Sequence, residues 1–395
     1  MQYVREDIMV SNNVYICADV HYPHGDAGSN RVHYVACAIK ASGRNVLVIA
    51  CGKRTEEKES THAGVRYVNI KKRTGRITSV IDEQIKNGWI MLEELKQQAN
   101  AGDYVYIYGS NSLFMYPIMH YCRKQGIKII VDVVEWHQPY QYKYGKLDMR
   151  YISNNHAFRR MSLKAKNIVA ISKLIGNFYQ MSNCNVLIMP MIIDTAGVVW
   201  SQQYQGPIIN MIYPGNPNRE DFVTMLKAML ALKEEDRNRL RMNITGAFKG
   251  KVREKLGANA VLLDELENIF VFHGWLDYDQ LTTLFLQMDC IFMSRPDDLV
   301  KQANFPSKIP EMMARGVFPV CNRVGDYCNY MTNGTDSIVF DVDTVEDCKH
   351  ALVRLLSMTE QELIKMKQET RKTAEKWFDY RCWVKTLDRF FECTK

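Results

Sequence analysis

The sequence predicts an α/β protein built of two doubly wound, Rossmann-like domains. Apolar, strand-like runs alternate with helix-like segments along almost the whole chain, the pattern of parallel sheets covered on both faces. The alternation loosens once, around residues 194–206, and then begins again. A chain of 395 residues, 47% hydrophobic and 24% charged, also exceeds what one core usually absorbs, so size alone points to two domains.

The near-continuous apolar run at 13–20 is the first strand. The loop HYPHGDAGSN follows, then a helix over about 31–42. Val32, Val35, Ala36 and Ile39 share one face of that helix, Ser29 or Asn30 caps it, and Gly43 stops it. Further strands are expected at 46–50, 65–70, 104–108, 127–134, 167–171 and 186–189, with helices near 78–99, 111–124, 152–165 and 173–181. The second series has strands near 208–213, 242–245, 269–273, 289–293, 317–321 and 337–340. From 344 the chain reads as helices: one with Cys348, Ala351, Leu352 and Leu355 on a face, a charged one, and the aromatic WFDYRCWVKTLDRFF, too apolar to stand in solvent. The expected layout is an N-terminal domain at 1–200, a C-terminal domain at 207–375 and a terminal helix at 376–395 that packs back on the first domain across the junction.

Composition narrows the function classes. Eleven cysteines are scattered without ligand spacing, several inside expected elements (Cys37, Cys290, Cys321), which reads as buried thiols rather than bridges or zinc ligands. The opening MQYVREDIMV places charges where a signal peptide needs an apolar core, and no apolar run approaches membrane-spanning length. The expected location is cytoplasmic, with the inner face of the cell membrane as an option. Residues 1–200 hold 25 Lys+Arg against 16 Asp+Glu, a balance of +9; the remaining 26 against 28 give −2. No nucleic-acid motif accompanies the basic half. An anionic membrane surface or an anionic lipid-linked substrate suits that charge, and so does a solvated surface with a modest bias.

The richest stretch is RPDDLVKQANFPSKIPEMMARGVFPVCN, residues 295–322. It reads as strand end, polar loop, short helix, glycine and strand. Ser307 is the expected N-cap, Pro310 lies in the first turn and Gly316 stops the helix. Lys308 beside free backbone N–H groups suits a phosphate. Glu311 falls one position too late to be a capping-box partner.

Other stretches lie where open α/β sheets bind ligands, at the carboxyl ends of strands. Gly28, in the loop after the first strand, permits close backbone approach, although a plain tight turn explains it as well. YPGNPNRED opens the second domain: Pro214 and Gly215 turn the chain and Arg219 stands by the next helix start, where it can pair with phosphate oxygens. Glu135-Trp136-His137 follows IIVDVV, with His137 a candidate base or donor and Glu135 its orienter or a sugar contact. QPYQYKYGKLDMR after it lines an acceptor site, lies on lipid headgroups, or is an ordinary surface loop. Gly274 in HGW marks a close backbone approach to a ligand base, with His273 structural. Asp297-Asp298 is the nearest thing to a metal-holding acidic pair and reads as solvated.

These pieces together resemble the family-4 type retaining glycosyltransferases of GT-B fold, the capsule, exopolysaccharide and O-antigen subgroup in particular. GDAGSNRV, the EW pair, YPGNPNRED, VFHGWLDYDQL and, most specifically, FPSKIPEMMARGVFPV carry the resemblance. It implies two Rossmann-like domains facing across a cleft, with a hinge near 190–207. It also implies transfer of a sugar from a nucleotide-diphosphate donor, a UDP-sugar first, to a lipid-linked or growing glycan acceptor, with retention at the anomeric carbon and without a metal or other cofactor. The implied donor-binding set is Gly28, Gly215, Arg219, Gly274, Phe305, Pro306, Ser307, Lys308 and Glu311, with Glu311 on the ribose hydroxyls and Arg219 and Lys308 on the diphosphate. The implied catalytic set is Glu135, His137, Lys308 and Glu311. Three departures stand out: Ala303 occupies the place of the family's first paired glutamate, Asn216 stands where many members have Arg, and one extra residue lies between Gly316 and Pro319. An epimerase of the same architecture and a silent nucleotide-sugar-binding partner are the alternatives.

Overall fold

The structure, a computed structural model, describes residues 13–52, 59–71, 80–109, 111–204, 206–215, 217 and 219–394. Contacts divide the chain into one unit of Met1–Ile192 with Tyr380–Lys395 and a second of Ile193–Asp379. The division falls just ahead of the loosened stretch at 194–206, and the chain crosses it twice.

The first unit carries β1 (Asn13–His21), β2 (Asn45–Gly52), β3 (Ser60–His62), β4 (Val65–Lys71), β5 (Tyr104–Tyr108), β6 (Lys128–Val133), β7 (Asn167–Ala170) and β8 (Asn185–Ile188). They form one sheet in the order β3-β4-β2-β1-β5-β6-β7-β8. Every pairing is parallel except the short β3, which runs back along β4. Because β1 lies between β2 and β5, the connections from it and from β5 leave toward opposite faces. That reversal opens a crevice at the carboxyl ends of the two strands.

The helix Ala27–Ala41 covers one face of this sheet with Val32, Val35, Ala36 and Ile39, all buried. It begins earlier than its apolar stripe suggests. Asp26, not Ser29 or Asn30, is the cap: its carboxylate accepts from Gly28 N at 2.9 Å and Ser29 N at 3.3 Å. Ser29 instead donates its hydroxyl to the His21 carbonyl at 2.6 Å. The final helix, Val384–Glu392, completes the same core with Leu387, Phe390 and Phe391. The Phe391 ring meets Tyr104 edge-on at 5.1 Å. Arg44 stacks over Phe391 at 5.0 Å and pairs with Asp388 at 2.8 Å.

The second unit holds β9 (Ile209–Pro214), β10 (Leu240–Thr245), β11 (Phe270–Gly274), β12 (Cys290–Met293), β13 (Phe318–Asn322) and β14 (Ile338–Phe340). The order is β11-β10-β9-β12-β13-β14 and every pairing is parallel. This is the doubly wound arrangement, with its switch point between β9 and β12. The charged helix Glu360–Trp377 earns its place through a narrow buried stripe that includes Leu363, Met366 and Ala374. Within that stripe Lys367 is itself buried; it donates to the Met288 carbonyl at 2.6 Å and to Asp289 at 3.2 Å. At the unit's two chain ends, Ile193 N donates to Phe378 O at 2.8 Å and Thr195 N to Asp379 at 3.1 Å, so entering and leaving segments run together.

All eleven cysteines are free, most of them buried. Among the described residues no helix is long and apolar enough to cross a membrane, and no cluster of three or more His, Cys, Asp or Glu has metal-holding geometry.

Candidate functional site

In the second unit, the loop after β9 and the segment after β12 leave neighbouring strands at the switch point. Gly215 has φ +119°, a conformation side chains rarely adopt, and its N–H binds the Thr245 carbonyl at 3.1 Å. A Cβ there would meet nothing, so the turn itself requires the glycine. Arg219 is the first residue of the helix Arg219–Leu230. Its side chain lies outside what the structure describes, and so does Asn216.

After β12 the chain forms the helix Leu299–Ala303 and then Lys308–Met313. Asp298 caps the first, accepting from Lys301 N at 2.8 Å, and Asp297 accepts from Gln302 at 2.5 Å. The acidic pair thus serves its own loop. Ala303 is wholly buried at the end of that helix. Ser307 departs from the expected cap: its φ of −58° and ψ of −25° are helical and its side chain makes no capping bond. The turn closes instead through Ile309 N on the Pro306 carbonyl at 3.1 Å, which leaves the Ser307 hydroxyl uncommitted to the helix end.

Glu311 has the partner its position in the sequence left open. Lys308 Nζ donates to its Oε2 at 2.9 Å, and Arg315 Nη1 lies 3.9 Å from Oε1 while donating to the Glu311 carbonyl at 2.9 Å. Lys308 is half-exposed, Glu311 less so and Arg315 buried, so one open cation and one buried cation flank the carboxylate. An ionised carboxylate has about four acceptor positions, and room remains on it for hydroxyl donors. Arg315, four residues beyond Glu311 and just past the end of the helix, folds back onto it, and its spacing from Glu311 is the sequence signal for that contact.

Two expected donor contacts, Phe305 and Gly274, also pack against the protein itself. The Phe305 ring is buried among Tyr330 at 5.9 Å, Phe378 at 5.8 Å and Tyr327 at 6.3 Å. Gly274 has φ +63°, and a Cβ there would come within 2.4 Å of the Phe248 ring. The close approach read from HGW is therefore made by Phe248. His273 bonds Asn243 at 2.9 Å, and burial lowers its pKa.

In the first unit, Gly28 belongs to the first turn of its helix, and a Cβ would press the Tyr108 hydroxyl at 2.9 Å. The Asp26 carboxylate already occupies the N–H groups of Gly28 and Ser29, so this helix start carries its own anion. Deeper in, Arg31 and Asp132 form a fully buried bidentate pair at 2.8 and 2.9 Å, and Arg31 also holds the Pro190 carbonyl at 2.8 Å. Burial opposes the Arg31 charge, but Asp132 outweighs it and raises the pKa. Burial, then Asp132, pushes the neighbouring Tyr108 hydroxyl up as well. Neither Arg31 nor Asp132 figured among the expected site residues, although a lone Asp in IIVDVV was the signal.

Beyond β6, Trp136 anchors the EWH turn between Phe158 at 4.6 Å and Phe178 at 5.3 Å. This fixes Glu135 and His137 on either side. His137 Nε2 lies 3.3 Å from Glu135 Oε2 and its Nδ1 2.8 Å from the Tyr142 hydroxyl, to which Asn154 donates at 2.8 Å. A neutral His137 protonated on Nε2 donates to Glu135 and accepts from Tyr142, so all three hydrogen bonds run toward the exposed carboxylate. Burial lowers the His137 pKa, with Glu135 opposing, and so favours that neutral form.

Comparison with known proteins bears on the fold and on the second unit. Residues 211–377 match the family model "Glycosyl transferases group 1". No curated protein matches the sequence. Among solved structures, sucrose-phosphate synthase from Thermosynechococcus elongatus is similar at TM-score 0.69 and 12% identity, over 96% of this chain and 98% of that one. Anabaena HepE in complex with UDP and glucose gives 0.64 and 10%, over 96% and 99%. WaaG, a glycosyltransferase involved in lipopolysaccharide biosynthesis, gives 0.66 and 13%, over 95% and 99%. The chain therefore has a GT-B fold, and residues 211–377 of it match the glycosyl transferases group 1 model.

Proposed function

We propose that this protein is a retaining glycosyltransferase that moves a sugar from a nucleotide-diphosphate donor, a UDP-sugar first, to a lipid-linked or growing glycan acceptor without a metal. The observation that carries this reading is the Glu311 carboxylate held by Lys308 at 2.9 Å, on the segment that leaves β12 beside the Gly215 turn of β9. A carboxylate so placed suits ribose hydroxyls, and a half-exposed ammonium beside it suits a diphosphate. HepE is solved with UDP and glucose, which supports a UDP-sugar as the first donor to test.

The chemistry asks little of covalent groups on the protein. Negative charge gathers on the leaving diphosphate in the transition state, and Lys308, Arg219 and the Ser307 hydroxyl stabilise it in place of a divalent cation. Glu135, polarised through His137 and Tyr142, orients acceptor hydroxyls. A second reading is favoured by Ala303: with no carboxylate at that position, the protein binds the donor as a silent assembly partner.

A thermal-shift panel of nucleotide sugars tests donor binding, with Glu311→Ala as the comparison. One or more UDP-sugars should raise the melting temperature of the unsubstituted protein, and Glu311→Ala should need roughly ten- to a hundredfold more ligand for the same shift, since a hydrogen bond to a charged group contributes about 1.5–3 kcal/mol. Equal shifts in both proteins would remove Glu311 from the site.

A further inference from the structure

The chain after β13 folds around one carbonyl. Val324 N donates to the Asn322 carbonyl at 3.0 Å, the Tyr327 hydroxyl donates to it at 2.8 Å, and the Cys328 sulfur approaches it to 3.5 Å. Cys328, on the short 3-10 helix Asp326–Tyr330, is thereby turned back toward the end of β13, where Cys321 stands just before Asn322. The two thiols hydrogen-bond to each other. That bond raises the pKa of Cys321 and lowers that of Cys328, so the shared proton rests on Cys321; burial adds to the rise on Cys321 and opposes the fall on Cys328. Cys321 is wholly buried, whereas Cys328 keeps 5% of its surface open.

Arg295 brings charge to the same cluster. Its buried guanidinium lies 5.8 Å over the Tyr327 ring and donates to Asn304 at 2.7 Å. Its Nη1 has no partner, and among the described residues no carboxylate pairs with it. The Arg295 charge favours the ionised forms of Tyr327 and Cys321, against their burial. An interior cation without a counter-ion is costly, and a thiolate in the cluster answers it. Packing alone explains Cys290 and Cys348, whose pKa values burial raises. It does not explain two thiols in contact near an unpaired guanidinium.

We propose that Cys321 and Cys328 form a reversible redox site for hydroperoxides, with Cys328 as the attacking thiolate and Cys321 as the resolving thiol. The Cys328 sulfur attacks the outer peroxide oxygen and the O–O bond breaks. The remaining oxygen leaves as water or an alcohol after taking a proton from solvent, and Cys328 becomes a sulfenic acid. The Cys321 sulfur then attacks that of Cys328: the S–S bond forms, the S–O bond breaks, and hydroxide leaves as water with the Cys321 proton. The electron pair lost by the sulfurs is the one gained by the peroxide. Asn322 ties this site to the segment that carries Lys308 and Glu311, since its side chain holds the backbone N and O of Arg295 at 2.9 and 2.6 Å. The chemistry itself is independent of glycosyl transfer and is read without a sugar substrate.

The full-length protein is reduced, treated with hydrogen peroxide, alkylated and digested with trypsin, which cuts after Arg323 and so separates the two cysteines. Mass spectrometry should find residues 316–323 joined to the peptide that begins at Val324, and a dithiol should release them. Cys328→Ser should abolish the link, although Cys348 remains in the same peptide. Cys321→Ser should leave Cys328 as a sulfenic acid that dimedone traps, roughly tenfold faster than it labels the buried Cys290. Cys382→Ser with Cys393→Ser, both exposed, should leave the link unchanged. Should a variant fail to fold, fragment spectra of the linked peptides from the unsubstituted protein decide, because they place the bond on Cys328 or on Cys348. No link under conditions that oxidise Cys382, a link through Cys348, a link that forms only in urea, or one that persists in Cys328→Ser would each overturn the proposal.

Discussion

At the residue scale, ionic groups divide into those that hold the fold and those left open for a ligand. Arg31 and Asp132 are of the first kind. Their buried pair ties the helix Ala27–Ala41 to β6 and to the chain after β8. Removing one partner leaves the other charged and unpaired in the interior, so Asp132→Asn should cost about 3–5 kcal/mol in chemical denaturation. Replacing both, Arg31→Met with Asp132→Leu, should cost much less. A small loss in the single variant would show that water reaches the pair. Burial gives a second residue-scale prediction, because His62, His137 and His273 all titrate below the ordinary histidine value, chiefly through burial. As pH falls below about 6.5, the unfolded chain takes up protons before the folded one. Stability should therefore decline with acid below that point and gain nothing from these groups above it. His137→Asn should narrow the difference in melting temperature between pH of about 7.5 and 5.5; an unchanged difference would mean that His137 titrates alike in both states.

At the element scale, strand–helix alternation was legible in the sequence because buried parallel strands are continuous apolar runs. Local capping chemistry was less so. The short β3, Ser-Thr-His, has no apolar pattern to reveal it, and only its antiparallel pairing with β4 defines it. Asp26 was passed over as a cap because the apolar stripe of its helix starts a turn later than the hydrogen bonding does. Ser307 read as a cap by residue type, yet a backbone already helical at that point leaves its side chain free. The candidate site divides in the same way: i,i+3 spacing brings Lys308 onto Glu311, whereas the packing of Gly274 against Phe248 and of Phe305 among Tyr330 and Phe378 joins residues distant in sequence and could not be read from it. Gly274→Ala tests this element directly. Its positive φ should cost about 1–3 kcal/mol, and removing the ring with Phe248→Ala should recover only the remainder of the loss. Complete recovery in the double-mutant cycle would assign the glycine wholly to ring packing.

At the scale of the whole molecule, two sheets, parallel but for β3 and each with a switch point, place the candidate residues at carboxyl strand ends or in the loops and helices that follow them. The Lys308–Glu311 pair in the second unit and the Glu135–His137–Tyr142 chain of hydrogen bonds in the first each have a neighbour that positions them, Arg315 in one case and Trp136 in the other. The central claim is sugar transfer from a nucleotide donor through the Lys308–Glu311 pair. It is tested most directly by UDP release from a panel of UDP-sugars, with and without a membrane extract carrying lipid-linked glycans. The account predicts release that depends on the extract, with labelled sugar recovered in the lipid fraction, and a loss of roughly ten- to a hundredfold in Glu311→Ala. Donor binding without any transfer, or transfer that Glu311→Ala leaves intact, would contradict it.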